Sequence, residues 1–327
     1  MDKLARIIVG LDPHDPSMAA AHLAARIAAG AAARLEFFAP VFNTHVSLAH
    51  FPNRDSLRHA RESLVRRQRE RVEALAADLG FAGEFQVAAS WDHPFEEALV
   101  RRVLERGADL LVVALPPGMA EGGRALSSAQ WQLVRHCPVP LLLTRGRAWR
   151  QAPVIVAAID PAERHGRGDE LDVRILQTAA RLAEVTGGTV HAFHAWQRSL
   201  RALLGELERP LGSGFPELAL EERQRELFYG ALSAAGAAPA RVSLLEGRPE
   251  ALLPGYCGEQ GADLVVMGAI ARNPFGRIFI GSTAERVLEQ LPCDLLVVKP
   301  AMFRTPVARE RWPREEGAVP PLGVPGI

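Results

Sequence analysis

The residues of this chain best suited to chemistry are Met267-Gly268-Ala269-Ile270-Ala271 and, nine residues beyond, Gly281-Ser282-Thr283. Glycine lets backbone amides approach an oxyanion closely or take positive φ. Serine and threonine hydroxyls, with the free amides of a helix's first turn and its dipole, complete an anion site. The chemistry implied is phosphate binding. Ser282-Thr283-Ala284-Glu285 also has the form of a capping box, so an ordinary helix N-cap explains the same spacing equally well. Two other phosphate motifs are excluded. Gly276 to Gly281 has P-loop spacing, but Ser282 stands where that loop needs lysine, and no GxGxxG follows a strand.

Other reactive residues are less organised. His191 and His194 are three apart on a predicted strand and so point to opposite faces, as core or site-lining residues rather than a shared metal site. His45, His50 and His59 lie in and after a long loop without a carboxylate at ligand spacing. Cys137, Cys257 and Cys293 are too scattered for a disulfide framework or zinc site and read as reduced core residues. No nucleophile elbow, catalytic dyad or carboxylate pair occurs at local spacing. Arg54, Arg58, Arg61, Arg66, Arg67, Arg69 and Arg71 crowd one predicted helix among Glu62, Glu70 and Glu73, the pattern of a solvated face with i,i+4 pairs.

A repeat shows which elements position the loop. Gly107-Ala108-Asp109-Leu110-Leu111-Val112-Val113 matches Gly261-Ala262-Asp263-Leu264-Val265-Val266-Met267 at an offset of 154, and Ile7 to Pro13 matches Ile155 to Pro161 at 148. Aligned on cysteine, Cys137 to Leu142 matches Cys293 to Val298 at 156. Such small drift indicates duplication of one large unit. Apolar, isoleucine- and valine-rich runs predict strands at 6–11, 34–42, 84–89, 109–114 and 139–144, then at 154–159, 189–195, 241–245, 263–267 and 294–299. Helix-length segments separate them, which requires crossovers. The predicted fold is α/β: two tandem flavodoxin-like domains, each a five-stranded parallel sheet with helices on both faces.

The length of 327 residues suits two domains, each with its own core: 1–146, a linker at 147–153, and 154–300. Five prolines and three glycines after Pro300 predict a disordered tail over 301–327. Thirty-eight basic residues balance 38 acidic ones, so no global field draws nucleic acid or anionic lipid; neither is an expected partner. No long uncharged apolar run is present, and residues 1–6 lead into a strand without a leader pattern, so a cytoplasmic location is expected.

Ile159-Asp160 after the first strand of the second half, Glu246-Gly247-Arg248-Pro249-Glu250-Ala251-Leu252, and Gly268-x2-Ala271-x9-Gly281-Ser282 together resemble a universal stress protein domain. That family's nucleotide motif is Gly-x2-Gly-x9-Gly-Ser/Thr. The tandem arrangement, over about residues 3–300, resembles the E type of the family. The resemblance implies an ATP site, with magnesium, formed by Ala158, Ile159, Asp160, Ala195, Met267, Gly268, Ala271, Arg272, Gly281, Ser282 and Thr283. In it Asp160 contacts the adenosine, Ala195 lines the base pocket, Met267 and Gly268 lie beside the adenosine, and Ala271, Gly281, Ser282 and Thr283 surround the phosphates. It also implies that the two domains pair as two single-domain protomers do; the sequence leaves open whether chains associate further as a homodimer.

This chain departs from the motif at Ala271, which replaces its second glycine; the added methyl group crowds a phosphate and disfavours positive φ. The first half departs further. Ala114 replaces the glycine after the fourth strand, Pro116 and Pro117 lack amides to donate, and Ala125 and Leu126 stand at Gly281 and Ser282. The expectation is a stress-response regulator with one nucleotide site, in the second half, and no enzymatic activity beyond slow hydrolysis. The alternative is a scaffold holding an apolar ligand or a partner protein. An adenylate-forming enzyme would need a glycine-serine loop after the first strand, which both halves lack.

Overall fold

The computed structural model describes residues 4–12, 18–115, 126–161, 170–197, 216–269, 286–287 and 290–310. The first half contains β1 (Arg6–Gly10), α1 (Ala19–Ala31), β2 (Arg34–Val41), α2 (Arg54–Asp78), β3 (Phe85–Trp91), α3 (Phe95–Arg106), β4 (Leu110–Ala114), α4 (Ser128–His136) and β5 (Leu141–Thr144). The second contains β6 (Val154–Ala158), α5 (Glu170–Thr186), β7 (Thr189–Trp196), α6 (Pro216–Ala234), β8 (Arg241–Glu246), α7 (Pro249–Gln260), β9 (Leu264–Gly268) and β10 (Asp294–Val298).

The repeated Gly-Ala-Asp motif has a mechanical explanation. Gly107 and Gly261 end α3 and α7 in the left-handed region, at φ 60° and 57°, where a side chain would be strained. The aspartate two residues on grips the start of the half's first strand. Asp109 Oδ2 accepts from the Arg6 amide at 2.9 Å, and Asp263 Oδ2 accepts from the Val154 amide at 2.9 Å. One tripeptide thus ends a helix and fixes strand register.

Within each half the strands are parallel, and the doubly wound class holds. Their order is 3-2-1-4-5 rather than flavodoxin's 2-1-3-4-5, so β3 and β8 form the outer edges. The two half-sheets are also one sheet. Its ten strands run β3-β2-β1-β4-β5-β10-β9-β6-β7-β8, joined by an antiparallel β5–β10 pair in which Leu142 faces Leu296. This register, with Leu111 beside Leu141 and Val265 beside Leu295, equates the last strands at an offset of 154. The offset of 156 applies at the cysteines, because the first half carries two extra residues between Cys137 and its strand.

The apolar cores follow the faces of the sheet, not the halves. One face packs α1 and α5 over Ile7, Val9, Leu110, Val112, Ile155, Ala157, Leu264 and Val266. The other packs α3, α4 and α7 over Ile8, Leu111, Val113, Leu143, Val156, Val265 and Leu295. Each core therefore crosses the seam, where separate cores were expected. On the first face α1 and α5 approach so closely that any Cβ on Gly30 would run into the Val185 backbone.

Side chains fasten the seam. Buried Asp294 accepts from the Arg145 amide at 2.7 Å and from Trp149 Nε1 at 2.8 Å. Burial raises its pKa above the usual carboxylate value, against those hydrogen bonds. Arg145 Nε donates to the Cys293 carbonyl at 3.1 Å, while Lys299, its counterpart in the register, donates through Nζ to the Val134 and Arg135 carbonyls at the end of α4. Each half thus sends a cation to a backbone carbonyl of the other: Lys299 meets the last turn of α4, where carbonyls lack partners and the dipole is negative, and Arg145 meets the bend just before β10. Burial lowers the Lys299 pKa to about 8 and raises that of nearby Cys137 to about 12. Arg150 pairs with Asp263 at 2.9 Å, and Arg26 donates to the Trp149 and Gln151 carbonyls, fixing the connection between β5 and β6.

No strand or helix occurs between Ala301 and Glu310, and the rest of the expected tail lies outside the described residues.

Candidate functional site

In the second half β6 lies between β7 and β9. The chain leaves β6 on one side, through β7 and β8, and returns on the other at β9, which makes the carboxyl ends of β6 and β9 a topological switch point. Open α/β sheets bind ligands in that crevice. Ala158 ends β6 beside Met267, and Asp160 lies two residues past the strand with its side chain 48% exposed. Ala158, Met267 and Gly268 are partly exposed, while Ile159 and Ala195 are buried. The structure therefore brings these six predicted residues to one sheet edge. Ala271, Arg272, Gly281, Ser282 and Thr283 lie outside the described residues.

Gly268 lies under α5. It is not in the left-handed region; a Cβ there would meet Leu171 Cδ2 of α5 at 2.7 Å. Helix α5 presses on the end of β9, and the absent side chain makes room for protein. The neighbouring backbone is tied into the sheet, with the Ala269 amide donating to the Val298 carbonyl at 3.0 Å.

The turn bearing Asp160 is held from three sides. The Ile159 amide donates to the Phe193 carbonyl at 3.0 Å, and the Asp160 amide to Asp172 Oδ1 of α5 at 3.1 Å. The buried His194 ring contacts the Ile159 carbonyl through Nδ1 at 3.0 Å and Gln224 Oε1 of α6 through Nε2 at 3.2 Å. Asp172 and Gln224 escaped the sequence reading, because nothing local links a helix residue to a strand-end turn. His194 was legible as a core or site-lining residue, and Ile159, Asp160 and Ala195 by resemblance, but nothing local joined the histidine to the turn.

His191 faces the opposite side of the sheet, as alternation requires. Its Nδ1 lies 3.3 Å from the Tyr256 hydroxyl, which accepts from Ser243 Oγ at 3.1 Å. Burial, then Arg241 and Arg150, lower its pKa below the ordinary histidine value. Among the described residues no group of three or more His, Cys, Asp or Glu side chains is placed to hold a metal ion. His45 and His50 have their ring centroids 6.1 Å apart, and His59 Nδ1 bonds its own helix at the Asp55 carbonyl. On α2, Arg58 pairs with Asp55 and Glu62, and Arg69 with Glu73 at 2.8 Å. Cys257 is brought against Cys293, and that thiol contact together with burial raises its pKa.

The same edge of the first half is built differently. Asp12 is exposed, and Leu115 and Leu126 are buried. The hydroxyl at the start of α4, on Ser127, accepts from the Gln130 amide while Gln130 Oε1 accepts from the Ser127 amide, a closed capping box. Pro116, Pro117 and Ala125 lie outside the described residues.

A doubly wound unit used twice, with a switch-point crevice beside Asp160, defines a tandem α/β protein with a candidate small-ligand site in its second half. Comparison with known proteins identifies the class further. The model of the universal stress protein family matches residues 3–145 and 154–299, and the chain belongs to that family. Universal stress protein E of Photorhabdus laumondii subsp. laumondii is 22% identical over 311 residues, covering 92% of this chain and 96% of that one. Universal stress protein E of Escherichia coli K12 is 22% identical over 303 residues with the same coverage. A functionally unknown protein from Pseudomonas aeruginosa PAO1 shares the fold, with a TM-score of 0.65 at 22% identity over 91% of this chain and 93% of its own. Among the described residues no helix is long and apolar enough to cross a membrane.

Proposed function

We propose that this chain is a cytoplasmic stress-response regulator that binds one adenine nucleotide, in its second half. The observation that carries the reading is the half-exposed Asp160 carboxylate at the β6–β9 switch point, beside Met267 and the small residues Ala158 and Ala195. A carboxylate there accepts hydrogen bonds from ribose hydroxyls, and small side chains leave room for a planar base. Those residues fit the adenosine part of ATP, and the Gly281-Ser282-Thr283 sequence supplies phosphate-binding chemistry. In the first half the Ser127 hydroxyl is committed to its helix, which supports a single site per chain. Among the described residues no general base is identified beside Asp160, in keeping with a nucleotide that acts as a regulatory ligand for a protein partner rather than as a substrate turned over rapidly.

Calorimetric titration with ATP and magnesium tests this reading. One site per chain is expected, with affinity lost in Gly281→Leu and reduced about tenfold in Asp160→Ala. Ala271→Gly is expected to strengthen binding. No heat from the wild type and none from Ala271→Gly would overturn the reading in favour of a scaffold for a different ligand.

A further inference from the structure

We propose that His194 is a positioning residue for Asp160, holding the turn after β6 in place from α6; the role in ligand binding rests on the nucleotide reading above. His194 is 1% exposed, and both its ring nitrogens have partners. The Ile159 carbonyl can only accept, so Nδ1 carries a proton and donates to it. Nε2 is then met by the Gln224 amide, which offers either an oxygen or a nitrogen. The Gln224 side chain is anchored on α6, and the ring is flanked by Phe228 at 5.8 Å between centroids. Asp160 Oδ1 lies 4.0 Å from Nδ1. The imidazole thus bridges a helix on one side and the peptide next to the candidate ligand-binding carboxylate on the other.

The fold does not itself require this bridge. Ala158 pairs with Phe193 in the second half and Gly10 with Phe38 in the first, so the residue matching His194 is Ala39. The Leu11 amide reaches the Phe38 carbonyl at 2.9 Å as Ile159 reaches Phe193, with a buried methyl group in place of the imidazole. A buried polar pair that one copy of the fold omits, present only behind the half-exposed carboxylate, belongs to the site rather than to the sheet.

Two substitutions separate the two ends of the bridge. The side-chain amide of His194→Asn reaches the position of Nδ1 and can still donate to the Ile159 carbonyl, while that of His194→Gln reaches toward Nε2 and gives up that bond. Amide hydrogen exchange at Ile159 and Asp160 reports the turn directly, and ATP titration reports its consequence. His194→Gln is expected to speed exchange at both amides and weaken ATP binding about tenfold, whereas His194→Asn keeps both within about twofold of wild type. Gln224→Met, which keeps the imidazole and removes its other partner, is expected to fall between them. Equal effects of Asn and Gln on the two readouts, or wild-type exchange in both His194→Gln and Gln224→Met, would overturn the proposal. Absence of ATP binding by the wild type would instead overturn the nucleotide reading, and the exchange comparison still decides whether His194 holds the turn.

Discussion

The two halves place the same elements in the same register and fill equivalent positions with different polar chemistry. On the α3/α7 face, Glu36 in the first half corresponds to His191 in the second, and Arg102 to Tyr256. Buried Glu36 is gripped by Arg102 and by Arg106, the latter at 2.7 Å. Its counterpart is the neutral chain from Ser243 through Tyr256 to His191. On the opposite face Ala39 corresponds to His194. The backbone prescribes which positions are buried and which way they point, but not how a buried polar group is satisfied. Divergence between the halves therefore concentrates in side-chain networks while hydrogen-bond ladders and glycine caps are retained.

The largest expected break in this comparison is Glu36→Ala. It leaves two guanidinium groups beside the core without their carboxylate and is expected to cost about 3–5 kcal/mol in urea unfolding. A second test concerns the seam. The folded pKa of Lys299, about 8, lies below its ordinary value of 10.5. Below both values both states are protonated; between them the unfolded state holds more protons, so stability rises with pH. The gain is expected to begin near pH 8 and approach, at most, about 3 kcal/mol by roughly pH 10.5, and Lys299→Met should lack this component of the pH profile. Tyr256→Phe removes one hydroxyl from the neutral chain and is expected to cost about 1 kcal/mol, well below the Glu36 change in the matching network of the other half. The smallest effect is expected at exposed Arg69, where substitution by alanine should change stability by less than about 0.5 kcal/mol and the change should vanish at high salt. A Tyr256→Phe cost equal to that of Glu36→Ala would refute the contrast between ionic and neutral networks.

Much of this architecture was legible in the sequence because its signals are local. Apolar runs gave the strands to within a few residues, and the odd spacing of His191 and His194 assigned them to opposite faces. The antiparallel β5–β10 pair was not legible as a strand register, since hydrogen bonding between strands about 150 residues apart leaves no local pattern. The cysteine-based alignment concealed it further, because two residues inserted after Cys137 shift the apparent offset without moving the strand. At the site, motif spacing brought out Asp160 and Gly268 but not the packing of Leu171 over that glycine, since Leu171 is nearly 100 residues away. The same distance hid Asp172 and Gln224, whose helices reach the turn only after the sheet has formed.

The cation exchange across the seam has one more consequence. If two identical chains met at such a pair, every substitution would be made twice, and a residue near the axis would have to suit its own image. Covalent fusion removes that constraint. Arginine stands at 145 and lysine at 299, an aspartate grips the seam from position 294 while Pro140 occupies the matching place, and neither choice has to work on both sides. Joining the copies released each from mirroring the other, so either can change its own side chains while still serving as the wall against which its partner is built.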